Sequence, residues 1–495
     1  MENNDVGIVV PEPPEVDAAP SLDPDARKRL VRFIICGSIV FLSCALAKFA
    51  FIPVLASLFF FFRYLQGRLD PVETLVVVLA VEPWLGPYRY FGFLDFDRAF
   101  VVLALATLWS ANGPSRRRFF SNGLDLGFSV FFVACALSAA CCFMWRHPFR
   151  NLILSLLMPF AYYLVAKNCI RRLDLLPKLY VAAVIAILGL SSLGILEGVI
   201  KVDIMSFGEP DLDPFRVNGP MRMPEEFGVC MSLLLLFFLG MKSMRRESPV
   251  GSILLRAVPL LGIVSCYLCL LRGIWIALGA GWVVQVAKRD FRLFLRVTPV
   301  VAITLWLFLK VILPAVSPDV FEKRLNNDGT INARIATYKS AWAMFLDHPV
   351  LGVGYSAFNE MSERDRYQFE YKGAESVDTP HNNFMALLSE TGLVGTLCFV
   401  FLLFQAFRSA LRVTRHGNCA WQREYGIFVL SAISAYVVAG AGLHIIRSID
   451  FINKYFFIFL GILSGMIDEL ALNRMQEQSR ITPQMARSED FTEAP

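Results

Sequence analysis

Residues 330–397 read TINARIATYKSAWAMFLDHPVLGVGYSAFNEMSERDRYQFEYKGAESVDTPHNNFMALLSETGLVGTL. They form the one long polar interval in a chain that otherwise alternates apolar spans with short charged turns. Within them Asp378, Thr379, Pro380, His381, Asn382 and Asn383 come directly before another apolar span. The stretch implies polar chemistry set against the edge of a membrane.

The composition supplies that membrane. Of 495 residues, 56% are hydrophobic and only 18% charged, outside the usual soluble-globular range. The net charge of +5 does not form one basic patch. Lys and Arg occur mostly in short clusters between apolar spans, which is the pattern that orients a chain in a bilayer, and nothing reads as a nucleic-acid footprint. The eleven cysteines lie mostly in or beside apolar stretches, as at Cys135, Cys141 and Cys142, where they read as small buried thiols. Cys266 and Cys269 form a CxxC pair inside an apolar span with no second pair or histidine nearby, so neither a metal site nor a redox motif is expected.

Residues 1–29 are expected to be a disordered cytoplasmic tail, because VVPEPPEVDAAPSLDPDA is acidic, proline-rich and has no core to build. It lacks the basic start and early apolar region of a cleavable signal. The first apolar span therefore reads as a retained anchor. Arg27, Lys28 and Arg29 hold it on the positive side, and two close-set spans fill 32–64. Further spans fall at 72–86, 95–112, 124–144, 151–167, 178–200, 223–241, 252–270, 272–287 and 293–314. An acidic external loop, 201–222, interrupts them. A large external loop with an amphipathic helix then occupies 315–382, followed by spans at 383–406, 425–444 and 451–469 and a polar, disordered cytoplasmic tail at 470–495. The expectation is an all-α polytopic membrane protein of about fourteen transmembrane helices, eleven before the large loop and three after it, with both termini cytoplasmic.

Three arginines stand on the external side of that layout. Arg216 lies in the 201–222 loop just before Asn218, Gly219 and Pro220, Arg272 between two apolar spans, and Arg334 in the large loop. Snorkelling, a salt bridge or simple solvation would account for each. A guanidinium held near hydrocarbon is otherwise costly, and its fixed fork of donors suits a phosphate or pyrophosphate. His381 is one of five histidines, with His147, His348, His416 and His444. A structural hydrogen bond is the default for a lone histidine, but His381 opens a membrane span, follows Pro380 and precedes two asparagines. A neutral imidazole there has the means to take a proton from a hydroxyl, with Asp378 close enough in sequence to orient it. In His348-Pro349-Val350-Leu351-Gly352-Val353-Gly354 the proline stops, and Gly352 and Gly354 turn, a flat amphipathic helix over 334–347. No nucleotide-binding glycine motif is present.

Taken together, RVNGP at 216–220, EEFG at 225–228, LRGIW at 271–275, HPVLGVG at 348–354, HNN at 381–383 and ETGLVG at 390–395 resemble the O-antigen ligase and polysaccharide polymerase superfamily. The likeness covers residues 200–410 in motif detail and the remaining spans in layout only. It implies a metal-independent, inverting glycosyltransferase of the GT-C type in the bacterial inner membrane, with its active site external and no cofactor. The donor would be a polyprenyl-pyrophosphate-linked oligosaccharide and the acceptor a glycan or lipid-linked glycan, with a chain-length regulator and export machinery as partners. On this likeness His381 is the base or orienting group, Arg216 and Arg272 are the essential arginines and Arg334 is a third. Leu271 stands where the family pattern has Ser or Thr before the arginine.

The chemistry suits those residues. A sugar C1 bonded to pyrophosphate already carries a good leaving group, so the protein has mainly to bind the developing negative charge and position an acceptor oxygen opposite it. Asn218, Glu225, Asp378, Asn382 and Glu390 are candidates for binding substrate or orienting the histidine, and Gly219, Gly352 and Gly354 for structural turns. The expected activity is polymerisation of lipid-linked repeat units, with ligation to a lipid A core or another acceptor as the alternative. A lipid-linked glycan flippase is the alternative of another class. A transporter would spread its polar residues along a path across the membrane, whereas here they gather at one face.

Overall fold

The computed structural model describes residues 71–81, 83–84, 120–141, 146–170, 174–204, 215–247, 252–307, 310–311, 315, 329–448 and 450–489. Before the polar interval the helices are α1 (Pro71–Val81), α2 (Gly123–Cys141), α3 (Arg146–Leu152), α4 (Met158–Cys169), α5 (Leu175–Ile200), α6 (Pro224–Gly240), α7 (Lys242–Glu247), α8 (Ser252–Leu268), α9 (Arg272–Arg289) and α10 (Phe291–Leu307). A π-helical stretch, Ile153–Leu157, joins α3 to α4. The polar interval contributes α11 (Gly329–Asp347), α12 (Phe358–Ser362) and a two-stranded antiparallel hairpin, β1 (Glu370–Tyr371) and β2 (Ala374–Glu375). After it come α13 (Asn383–His416), α14 (Ala420–Gly440), α15 (Ile445–Ser448) and α16 (Asp450–Glu489).

The expectation of about fourteen crossings is overturned. Among the described residues five helices are long and apolar enough to cross a membrane: Gly123–Cys141, Phe149–Cys169, Leu175–Ile200, Asn383–His416 and Asn453–Gln476. The other apolar stretches fail for identifiable reasons. α6 has 17 residues, which at ~1.5 Å per residue falls short of the ~30 Å hydrocarbon layer. The described parts of α8 and α10 also run to 17 residues and that of α1 to 11. α9 carries Arg272 at one end and Lys288 and Arg289 at the other, and α14 opens on Gln422, Arg423 and Glu424. α6 is apolar because it is the centre of the core: Leu233, Leu234, Leu235, Leu236 and Phe237 are all buried, and a helix apolar on every side can be a core helix as well as a span. The spans expected at 32–64 and 95–112, like the tail at 1–29, lie outside the described residues. At the other end α16 runs to Glu489, so the segment after 470 begins as helix where a disordered tail is expected.

α16 lies along α4, α9 along α14, α8 on α5, and α13 against both α2 and α14. Gly461 and Gly465 let α16 approach α4, since a Cβ at either would meet the backbone oxygen of Tyr163 or Lys167. At that end of the contact Lys167 lies 2.5 Å from Asp125 and 3.3 Å from Asp468, all three buried. The Tyr163 hydroxyl donates to Asp125 (2.5 Å), the Ser121 hydroxyl to Asp468 (2.5 Å) and the Asn122 amide to Asp468 (2.9 Å). One cation thus ties α2, α4 and α16 together.

The polar interval is fastened to a break in α13. Gly392 has φ 62° and ψ −160°, which interrupts the helical ladder and releases the carbonyls of Ser389 and Glu390 and the amides of Leu393 and Val394. The segment after α11 takes up all four. Val353 and Gly354 donate to Ser389 and Glu390 (2.9 and 3.0 Å), while Leu393 and Val394 donate to Pro349 and Val350 (2.9 and 3.2 Å). The Ser138 hydroxyl of α2 adds a bond to the Glu390 carbonyl (2.7 Å). The two chains approach too closely for side chains: a Cβ at Gly352 would meet the backbone of Glu390, and one at Gly392 the carbonyl of Val350. Gly352 and Gly354, at φ 70° and 118°, are therefore needed for their shape.

Replacing Lys167 with Met should strand Asp125 and Asp468 without their cation and cost about 3–5 kcal/mol. Thermal unfolding of the purified protein in detergent should show a clear drop in midpoint. An unchanged midpoint would mean that the ion pair does not hold these helices together.

Candidate active site: an arginine-lined pocket

Arg216, Glu225, Arg272, Arg334 and His381 line one cavity of about 530 Å³, together with Leu270, Leu271, Gly273, Ile274, Gly442 and Leu443. They come from segments far apart in the chain, and each is held there by local structure.

Arg216 enters on an extended strand of loop. The next residue, Val217, donates its amide to the carbonyl of Leu268 (3.2 Å), so this segment runs beside the end of α8. Arg272 is the first residue of α9. The turn from α8 is tight: Leu270 takes φ 51°, a left-handed conformation that a branched non-glycine residue rarely adopts, and its amide bonds back to Tyr267 (2.9 Å). The Trp275 indole donates to Cys266 across the turn (3.0 Å) and its ring stacks on Tyr267. No side chain of Leu271 caps α9. Arg272, Gly273 and Ile274, the first turn of α9, line the cavity, so the positive end of the helix dipole adds to the guanidinium there. Nothing lies within 4 Å of where a Cβ on Gly273 would stand, so the cavity is open against the helix start.

Arg334 sits near the start of α11 beside the loop after α14; a Cβ on Gly442 would stand 3.8 Å from its Nη1. His381 is held by its neighbour. The Asn382 side-chain oxygen Oδ1 caps α13 by accepting from the amides of Phe384 and Met385 (2.8 and 3.2 Å), and its Nδ2 donates to the carbonyl of Ala441 (2.9 Å). One side chain thus fixes both the start of α13 and the 441–443 loop. His381 itself has φ 45°; strain of this kind at a site is a pointer to function. Its imidazole is held below the ordinary histidine value, first by burial and then by Arg334, with Glu225 and Asp378 pulling the other way.

The remaining sequence candidates fall into other places. Asp378 is exposed beside His381, accepting from the Thr379 hydroxyl (3.3 Å). Asn218 is buried behind Arg216, its backbone carbonyl accepting from Met221 (3.2 Å). Gly219 turns the same loop at φ 56° against the Phe227 ring. Glu390, expected near substrate, is buried beneath the break in α13, where its carboxylate accepts from the Phe358 amide (3.3 Å); it does not line the pocket. Leu270, Gly442 and Leu443 line the cavity without any sequence signal. Glu197, buried at the end of α5, accepts from the Gly219 amide (2.8 Å); a lone carboxylate in an apolar span was its one available signal.

The pocket carries three guanidiniums against one carboxylate, so an anion is the ligand its charge suits. Among the described residues no group of three or more His, Cys, Asp or Glu is placed to hold a metal ion. No curated protein matches the sequence. Residues 228–400 match the family model described as O-antigen ligase. That segment contains Arg272, Arg334, His381 and the broken helix, while Arg216 and Glu225 lie just ahead of it. Over this segment, about a third of the chain, the protein is similar to the O-antigen ligase family.

Proposed function

We propose that the chain is a membrane-embedded glycosyltransferase that moves a glycan from polyprenyl pyrophosphate to an acceptor hydroxyl in this pocket. The observation that carries the reading is the convergence of Arg216, Arg272 and Arg334 with His381 around one cavity. In the reaction the acceptor oxygen attacks the sugar C1 from the face opposite the leaving group, the bond from C1 to the pyrophosphate oxygen breaks, and its electron pair leaves with polyprenyl pyrophosphate. The arginines and the start of α9 bind the charge that develops on that leaving group. His381, kept neutral by burial and by Arg334, accepts or steers the acceptor proton. The guanidiniums supply the positive charge without a metal.

The family described as O-antigen ligase favours transfer to a distinct acceptor, such as a lipid A core, over polymerisation of the repeat unit. On this reading the pocket lies at the external face of the bacterial inner membrane, where the lipid-linked donor is presented.

His381→Ala should abolish transfer while leaving donor binding intact; wild-type transfer by this variant would end the histidine's role. Arg216→Ala and Arg272→Ala should each weaken binding of a polyprenyl-pyrophosphate donor by roughly 10- to 100-fold, the loss of a charge-assisted hydrogen bond. Unchanged donor affinity in both would count against a pyrophosphate clamp.

The pH dependence follows from the environment of His381. Because its protonated form is disfavoured, transfer should rise with pH through an acid limb below the ordinary histidine value and be level at neutral pH. Arg334→Ala should move that limb up and Glu225→Gln should move it down, measured as transfer rate against pH. A limb that neither substitution moves would exclude His381 as the titrating group.

A further inference from the structure

Glu197 lies in the last turn of α5 with no exposed surface. Its carboxylate accepts the Gly219 amide at Oε2 (2.8 Å) and the Ile204 amide at Oε1 (3.3 Å). Its own carbonyl accepts from Lys201 (2.7 Å), which closes the helix in a left-handed turn at φ 54°. A single side chain thus bonds to both ends of the loop that carries Arg216, seven residues on at Ile204 and 22 residues on at Gly219. At the far end the fit is tight. Gly219 stands at φ 56°, and the Phe227 ring fills the space that a Cβ would need. Val217 is bonded to Leu268 on the other side. Arg216 therefore sits next to two successive anchors, one on α8 and one on Glu197, and its backbone has little freedom.

A carboxylate with no exposed surface is costly to bury. Leucine would fill the same volume without that cost, but it would leave the Gly219 and Ile204 amides without an acceptor. Glu197 does not line the pocket and so has no direct part in binding substrate. We propose that Glu197 is a positioning residue whose buried carboxylate sets the place of Arg216 in the pocket. This rests on the reading of Arg216 as a donor-binding group.

A double-mutant cycle between the two residues, scored as kcat/KM for transfer from a polyprenyl-pyrophosphate-linked oligosaccharide, tests it. Glu197→Ala should lower transfer by about 100-fold, the scale expected when a binding group is displaced by an ångström. Glu197→Gln keeps one acceptor oxygen and should lose only about fivefold, the difference between a charged and a neutral acceptor. In an Arg216→Ala background both losses should shrink to within about twofold, because the group being positioned is gone. If Glu197→Ala does not accumulate in the membrane, the same cycle with Glu197→Gln decides the matter. Equal losses in the two backgrounds would overturn the proposal and leave the role of Arg216 standing. An Arg216→Ala variant with wild-type transfer would overturn both together.

Discussion

The break in α13 at Gly392 is the constraint from which the site follows. In apolar surroundings four backbone groups released by a broken helix cannot be left to water, and each would cost several kcal/mol unpaired. The segment from Pro349 to Gly354 satisfies all four. That requirement fixes the end of α11 against the middle of α13. With those two helices locked, the start of α11 brings Arg334, and the start of α13 brings His381, to the same cavity. The glycines of the two motifs, Gly352 and Gly392, are the price of bringing two backbones into contact.

Charge is handled in two different ways in this molecule. At Asp125, Lys167 and Asp468 it is buried, paired and hydrogen-bonded to Ser121, Asn122 and Tyr163. That cluster joins helices. In the pocket three arginines face one carboxylate, and the start of α9 is left without a side-chain cap. An excess of one sign around a cavity is a poor way to stabilise a fold and a good way to bind a charged ligand. The left-handed backbones of Leu270 and His381 belong to the same bargain, in which local strain is held by the surrounding structure.

Parts of this were legible in the sequence for physical reasons. Arg272 and His381 stand at the edges of apolar spans and Arg216 and Arg334 in the two external-side loops, and charge gathered near such boundaries calls for an explanation. The glycines at 352 and 354 read as turns. The number of crossings was not legible, because hydropathy reports that a stretch is apolar and not what surrounds it. α6 is apolar for the sake of other helices. The place of Glu390 was open, because a carboxylate near a motif looks the same in sequence whether it faces substrate or holds the amide of Phe358. For Glu197 the sequence shows only a lone carboxylate in an apolar span: its partners, Ile204 and Gly219, contribute backbone amides, which leave no mark on residue choice.

The central claim is that the pocket moves a glycan off polyprenyl pyrophosphate. The most direct measurement is release of free polyprenyl pyrophosphate by the purified protein in liposomes, supplied with a defined lipid-linked oligosaccharide and a glycan acceptor. The account predicts release that matches acceptor glycosylation one for one and is lost in His381→Ala. Absence of release by the wild-type protein, or release undiminished in that variant, would contradict it.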